Sequence, residues 1–115
     1  MEHKIFAMPF SKIYKLYIQK VEKKDRTKDE VDEIIIWLTS YEKENLESII
    51  KNNLTVKEFF ENAPSINEKT SLIKGVICGV RVEEIEDKLM RNIRYMDKLI
   101  DELAKGRSMV KILRK

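Results

Sequence analysis

Four carboxylates lie within a stretch of five residues, at Glu83, Glu84, Glu86 and Asp87. Carboxylate oxygens at this density suit a hard cation such as magnesium or calcium, and they also suit a basic protein partner. A simpler interpretation is that the run precedes a helix, because negative groups offset the positive end of the helix dipole and Asp87 can cap the first turn. The spacing does not match the calcium loop of an EF-hand. We therefore favour helix-start chemistry, and we assign no metal ligand.

A second polar stripe lies further along the same predicted helix and consists of Arg94, Tyr95, Asp97 and Asp101. The two aspartates are one helical turn apart, and like charges at that spacing repel each other slightly. We therefore expect a positive partner opposite them, such as Arg81 or Arg91. The stripe can be a buried structural network, plain exposed surface or a functional polar site, and the first of these is favoured.

Side chains that catalyse reactions at neutral pH are scarce in this sequence. His3 is the only histidine, and a position so close to the chain start is a poor place for a general base. Cys78 is the only cysteine and follows an apolar run, where we expect a buried, unreactive thiol. We assign no catalytic residue, metal or cofactor. An enzyme that uses the acidic cluster with a divalent metal remains an alternative.

Composition limits the chain to one small helical domain. Of its 115 residues, 43% are hydrophobic and 37% are charged, with three glycines and two prolines. A chain of this length buries a single core, and the scarcity of turn-forming residues favours long helices. The sequence has no apolar run long enough for a membrane span and no secretory signal. We expect one domain over residues 1–115, located in the cytoplasm.

Helix signals recur along the first half of the chain. Apolar residues three or four apart over 10–21 predict an amphipathic helix that Ser11 caps. The capping-box pattern at Thr27 predicts the start of a second, well-enclosed helix, and the same pattern recurs at Thr55. Another helix is predicted over 42–52. These short segments supply the apolar faces of a bundle.

The segment 67–78 is ambiguous. Its apolar residues Leu72, Ile73, Val76 and Ile77 fit a helix, whereas residues 75–80 could also form a strand. We predict a helix, because no second strand-like segment is available for pairing and two strands alone are marginally stable.

The longest predicted element runs from about residue 87 to residue 105. Its apolar side chains step alternately by four and three residues, which is the seam of a heptad-like helix: Leu89, Ile93, Met96, Ile100 and Leu103. Together the elements predict an all-α, compact single-domain bundle of about five to seven helices with a long C-terminal helix. We expect the core to contain Tyr14, Tyr17, Ile34, Ile35, Leu38, Phe59, Phe60, Ile93, Met96 and Ile100.

Charge and apolar surface point to protein partners. The formal net charge is +3, yet both ends of the chain are basic and residues 29–70 are acidic. Such segments can pair within one domain or between two copies. Met90, Leu99 and Ile112 lie off the seam and are expected to leave apolar surface that a symmetric dimer would cover. We therefore predict a homodimer or an unidentified protein partner.

Nucleic acid is the weaker candidate partner. Lysines and arginines cluster near both ends, and Tyr14, Tyr17 and Trp37 could stack on bases, but their spacing suits core positions first. The pI near 8.9 is below the value typical of nucleic-acid-binding domains. A nucleic-acid-binding regulatory protein is kept as an alternative.

Several long motifs resemble an uncharacterised bacterial family, domain of unknown function 2200. They are GVICGVRVEEIED at 75–87, IRYMDKL at 93–99 and DELAKG at 101–106, with shorter matches HKIF at 3–6, EKK at 22–24, RTK at 26–28 and EVDEII at 30–35 followed by WLT at 37–39. Departures are Lys15 and Lys88, where the family pattern has proline, and Asp25, where it has glycine. The resemblance implies no activity or catalytic residue. We therefore predict a small cytoplasmic, non-enzymatic protein-interaction module whose candidate partner surface comprises Arg81, the acidic cluster and the polar stripe.

Overall fold

The computed structural model describes residues 4–77 and 79–115. Within them six α-helices form: α1 (Phe10–Glu22), α2 (Lys28–Thr39), α3 (Lys43–Lys51), α4 (Val56–Glu61), α5 (Lys88–Ala104) and α6 (Met109–Ile112). Two short strands, β1 (Val76–Ile77) and β2 (Val80–Arg81), and 3₁₀ turns at Lys4–Ala7, Glu68–Leu72 and Val82–Glu84 complete the elements. The predicted helical bundle in one compact domain with a long C-terminal helix is confirmed. None of the helices in these residues is long and apolar enough to cross a membrane.

Local sequence explains where the helices begin. The side chains of Thr27 and Thr55 each accept a hydrogen bond from the amide of the glutamate three residues on, and each glutamate side chain accepts from the threonine amide. Both capping boxes are thus confirmed. Ser11 was wrongly expected to cap α1. The helix begins directly after Pro9, whose φ of −60° already suits the first turn, and the Ser11 hydroxyl instead donates to Asn53 at 3.4 Å.

The turn between α1 and α2 depends on one left-handed residue. Asp25 has a φ of 61°, a conformation that glycine adopts without strain and that aspartate tolerates better than most residues. The turn also brings the Arg26 side chain to the end of α5, where its Nη1 donates to the carbonyl of Leu103 at 3.3 Å and to the carbonyl of Arg107 at 2.9 Å.

The core lies where α1, α2 and α5 pack against one another, with α3 and α4 closing one end. All ten predicted core residues are buried. An aromatic group links α1 to α4, since the rings of Phe10 and Phe59 stack with centroids 3.9 Å apart. Tyr41 completes this group by donating its hydroxyl to the Phe59 carbonyl at 2.6 Å. Burial raises the pKa of Tyr41 to about 12.

The apolar surface expected from Leu99 and Ile112 is absent from the described structure. Both side chains are fully buried, and Met90 is half-buried. The seam alone does not decide burial, because α5 is covered by α1 and α2 on one side and by α6 and the hairpin on others. The sequence-based reason for a dimer at these residues was therefore wrong.

The prediction of a helix over 67–78 was also wrong. After the 3₁₀ turn, β1 and β2 pair antiparallel as a hairpin, with Val76 opposite Arg81 and Ile77 opposite Val80. The segment pairs with itself, so it needs no second strand elsewhere. Gly75 permits this chain path with a φ of 113°, which a helix cannot accommodate.

Candidate functional site

Glu83, the first residue of the acidic cluster, stabilises the hairpin. The Glu83 carboxylate accepts a hydrogen bond from the Gly75 amide at 3.0 Å, and it lies 3.5 Å from the Arg81 guanidinium. Hydrogen bonds from its own amide and from the Gly75 amide, together with Arg81, lower the pKa of Glu83. The carboxylate therefore holds both ends of the hairpin together.

The remainder of the cluster does not converge on one point. Asp87 caps α5, as predicted, because its carboxylate accepts from the Met90 amide at 3.0 Å. Glu84 and Glu86 are exposed beside it. Among residues 4–77 and 79–115, no group of three or more acidic, histidine or cysteine side chains is placed to hold a metal ion. Glu83 and Asp87 therefore accept local backbone hydrogen bonds, whereas Glu84 and Glu86 lie on the surface.

The aspartates of the polar stripe on α5 are half-buried and are hydrogen-bonded or ion-paired within the chain. Asp97 accepts from the Tyr17 hydroxyl and from Arg94 Nη1, the latter at 2.9 Å. Asp101 lies 3.2 Å from Lys20 Nζ and 3.0 Å from Lys105 Nζ. Burial alone would raise the pKa of Asp101, but the hydrogen bonds from these two lysines outweigh it and lower the pKa.

The prediction that Arg81 or Arg91 lies opposite the two aspartates was wrong. Neither Arg81 nor Arg91 pairs with these aspartates in the described contacts; Tyr17 and Lys20 come from α1, which packs along α5, and Arg94 and Lys105 come from α5 itself and its C-terminal end. Tyr95, the remaining stripe residue, is buried. The stripe and the acidic cluster are also separate, because the ten residues from Asp87 to Asp97 span about 15 Å of helix.

A polar cluster between α1 and α2 was missed from the sequence. The Tyr14 hydroxyl donates to Asp32 at 2.5 Å, and Lys28 Nζ lies 2.9 Å from the other carboxylate oxygen and 5.7 Å from the centre of the Tyr14 ring. Burial, and then the hydrogen bond to Asp32, raise the pKa of Tyr14 to about 12. The pKa of Lys28 is raised as well, chiefly by its hydrogen bond to Asp32. The i,i+4 spacing of Lys28 and Asp32 was the one feature of the sequence that could have indicated this cluster.

A second missed cluster fastens the C-terminal residues. Glu102 is buried and accepts from Arg114 through two nitrogens, at 2.7 and 3.1 Å, while Arg107 lies 3.2 Å away. Nearby, Arg26 pairs with Glu30 at 2.7 Å, which raises the pKa of Arg26 and lowers that of Glu30. These contacts tie α6 and the start of α2 to the end of α5. Their role is structural.

The hairpin and the turn before it carry exposed apolar side chains. Leu72, Val76 and Val80 are 54%, 52% and 45% exposed, within nine residues of chain. Arg81, Glu84 and Glu86 follow them and are also exposed. We call this group of six residues the hairpin surface. Elsewhere, Leu16 and Val110 are single exposed apolar residues on α1 and α6.

Two residues considered from the sequence lie outside the described residues. His3 precedes residue 4, and Cys78 lies between β1 and β2. The expectations of a non-catalytic histidine and of a buried thiol therefore stay predictions.

The fold and the described polar clusters define a small helical domain in which a few ion pairs and hydrogen bonds join the helices. The chain belongs to a bacterial family described as an uncharacterized protein conserved in bacteria, DUF2200, whose model matches residues 4–114. It is also similar to the crystal structure of the uncharacterized protein SP1917, with 39% identity and a TM-score of 0.93 over 99% of this chain and 93% of that one. No curated protein was found to match it. Because the family and the solved structure are both uncharacterized, they assign no function.

Proposed function

We propose that the protein is a non-enzymatic protein-interaction module of the bacterial cytoplasm, and that it binds its partner through the hairpin surface. The observation that carries this proposal is the exposure of Leu72, Val76 and Val80 on one short segment. Val76 and Val80 lie on the two faces of the hairpin, since Val76 pairs with Arg81 and Val80 with Ile77. Apolar side chains that remain in water favour association, because burying them against a partner removes apolar area from solvent. By contrast, the polar clusters of the stripe and of the C-terminal end are already occupied within the chain.

The charges of the hairpin surface indicate what the partner must offer. Arg81 is 59% exposed at its side chain, and the exposed carboxylates of Glu84 and Glu86 follow it closely. A surface with both signs of charge beside apolar groups is complementary to a surface of the same kind. A second copy of this chain supplies such a surface, and a two-fold contact would set Arg81 of each copy opposite the carboxylates of the other. We therefore propose a symmetric dimer through the hairpin surface.

Sedimentation velocity at tens of micromolar tests this proposal. The wild-type chain, of 13.7 kDa, should sediment as a dimer. The double variant Val76→Lys/Val80→Glu keeps the net charge and changes only exposed positions, so it should remain folded and become a monomer. The matched control is Leu16→Lys/Val110→Glu, which makes the same kind of change at exposed apolar residues elsewhere and should remain a dimer.

Two results would contradict the proposal. A wild-type monomer at these concentrations would remove the second copy as partner. A dimer that persists in Val76→Lys/Val80→Glu would show that the contact lies away from the hairpin surface. Circular dichroism of each variant checks that a change in mass does not come from unfolding.

A further inference from the structure

A cleft lies between α4 and α5. Its volume is about 340 Å³, which falls in the range of sites that hold small molecules. Six residues line it: Lys57, Phe60 and Glu61 from α4, and Lys88, Leu89 and Asn92 from α5. In each helix the lining residues are three or four apart, so they share one face of that helix. The two faces meet across the cleft.

Asn92 is the unusual member of this set. It is only 8% exposed, yet its carboxamide makes no hydrogen bond to any residue within 4–77 and 79–115. The other buried polar residues of the described chain all have partners for their side chains: Asp32, Thr39, Thr70 and Glu102. No fully enclosed side-chain nitrogen or oxygen in the described structure lacks a partner, so the unpaired amide must open onto the cleft. Asn92 is thus held by the surrounding packing while its amide stays free to exchange water for a ligand.

The other lining groups indicate the ligand's chemistry. Phe60 and Leu89 provide apolar walls, since Phe60 is buried and Leu89 packs against the core. Lys57 already takes part in another interaction. The charges that remain are Lys88 and Glu61, which are exposed and of opposite sign. Adjacent positive and negative groups suit a ligand that carries both charges itself.

We propose that this cleft binds a free α-amino acid with an apolar side chain. The ligand carboxylate accepts hydrogen bonds from the Asn92 amide and from Lys88, and its ammonium group donates to Glu61. The apolar side chain packs against Phe60 and Leu89. This site is independent of the hairpin surface and of the dimer proposed there.

Titration with leucine, followed by ¹H–¹⁵N NMR of the backbone and Asn92 side-chain amides, tests the site. Leucine should give saturable shifts confined to α4 and α5, with a dissociation constant at or below the millimolar range. N-acetylleucine lacks the ammonium group and leucinamide lacks the carboxylate, so each should bind at least about tenfold more weakly. Absence of saturation at tens of millimolar leucine would overturn the proposal. Equal binding of N-acetylleucine would also overturn it, because that result describes a site for any carboxylate, including a peptide C-terminus.

Variants test the role of each polar group. Asn92→Leu keeps a similar volume and removes the amide, so it should abolish the leucine shifts while the free protein remains folded. The matched control is Asn67→Leu, whose amide donates to the Trp37 carbonyl at 3.3 Å; it should lower the melting temperature and retain leucine binding. Unchanged leucine shifts in folded Asn92→Leu would show that the amide does not contact the ligand and would overturn the proposal. Glu61→Gln changes an exposed residue and should weaken leucine binding to the level of N-acetylleucine; an unchanged affinity for leucine would refute the ammonium contact.

Discussion

Replacing Glu102 with alanine should destabilise the domain by about 3 kcal/mol, at the lower end of the range for breaking a buried ion pair. The side chain of Glu102 is 7% exposed and that of Arg114 is 14% exposed, so water screens their contact poorly. The substitution removes two charge-assisted hydrogen bonds, at 2.7 and 3.1 Å, and leaves the Arg114 guanidinium enclosed without its carboxylate. The contact adds to the burial of Ile112 and Leu113 in holding α6 against α5.

Alanine substitutions of Glu102, Arg114 and Arg107 should reduce the free energy of unfolding by different amounts. Arg107 is 47% exposed at its side chain, so Arg107→Ala should cost only about 0.5 kcal/mol. Arg114→Ala should cost about 2 kcal/mol, because Glu102 still has Arg107 as a partner after the change. Glu102→Ala should therefore be the most damaging of the three.

Urea denaturation followed by circular dichroism measures these differences. With a slope of about 1.5 kcal/mol per molar urea, Glu102→Ala should lower the midpoint by about 2 M. The control is Glu47→Ala on α3, which removes an exposed carboxylate outside the hairpin surface and should leave the midpoint nearly unchanged. If Glu102→Ala shifts the midpoint no further than this control, the ion pair does not hold α6 and the reasoning is refuted.

Two further predictions concern pH and backbone conformation. Tyr14 and Tyr41 have pKa values raised from 10.0 to about 12, so their contribution to stability is fully present below about pH 10 and is lost as the pH rises from 10 to 12. Absorbance of tyrosinate should show these two rings ionising only with unfolding; ionisation of all the tyrosines near pH 10 in the folded protein would contradict this. Gly75→Ala should cost about 1 to 3 kcal/mol, since the φ of 113° is strained for any side chain although the added carbon would meet Lys98 at an ordinary 3.5 Å. Gly79→Ala, with a φ of 78° and open space around it, should lower the melting temperature less, and an equal loss would argue against backbone strain as the cause.

The sequence predicted helix starts well because capping is local. The hydroxyl of Thr27 and the carboxylate of Glu30 meet within one turn, and Asp87 caps α5 through the next turn, so four adjacent residues hold the information. Four of the five seam residues of α5 are buried and Leu89 is partly buried, since helical geometry fixes which side chains share a face.

Contacts between distant segments could not be read in the same way. Leu99 lies off the seam but is buried, because several elements cover α5 and no pattern within α5 records them. The hairpin was missed because its strands are two residues long, too short for a period of two to be visible. For the candidate site, the residue types were found but their partners were not: Tyr17 reaches Asp97 only after α1 and α5 have packed.

The contact between Tyr17 and Asp97 joins residues that are 80 positions apart in the chain. A nascent chain that contains α1 to α4 can bury α1 against α2, α3 and α4, but it lacks α5, which covers the remaining side of α1 and accepts from Tyr17. Closing so long a loop carries an entropic cost. We therefore expect the complete core to form only after α5 has been synthesised, and until then part of the apolar face of α1 stays in water.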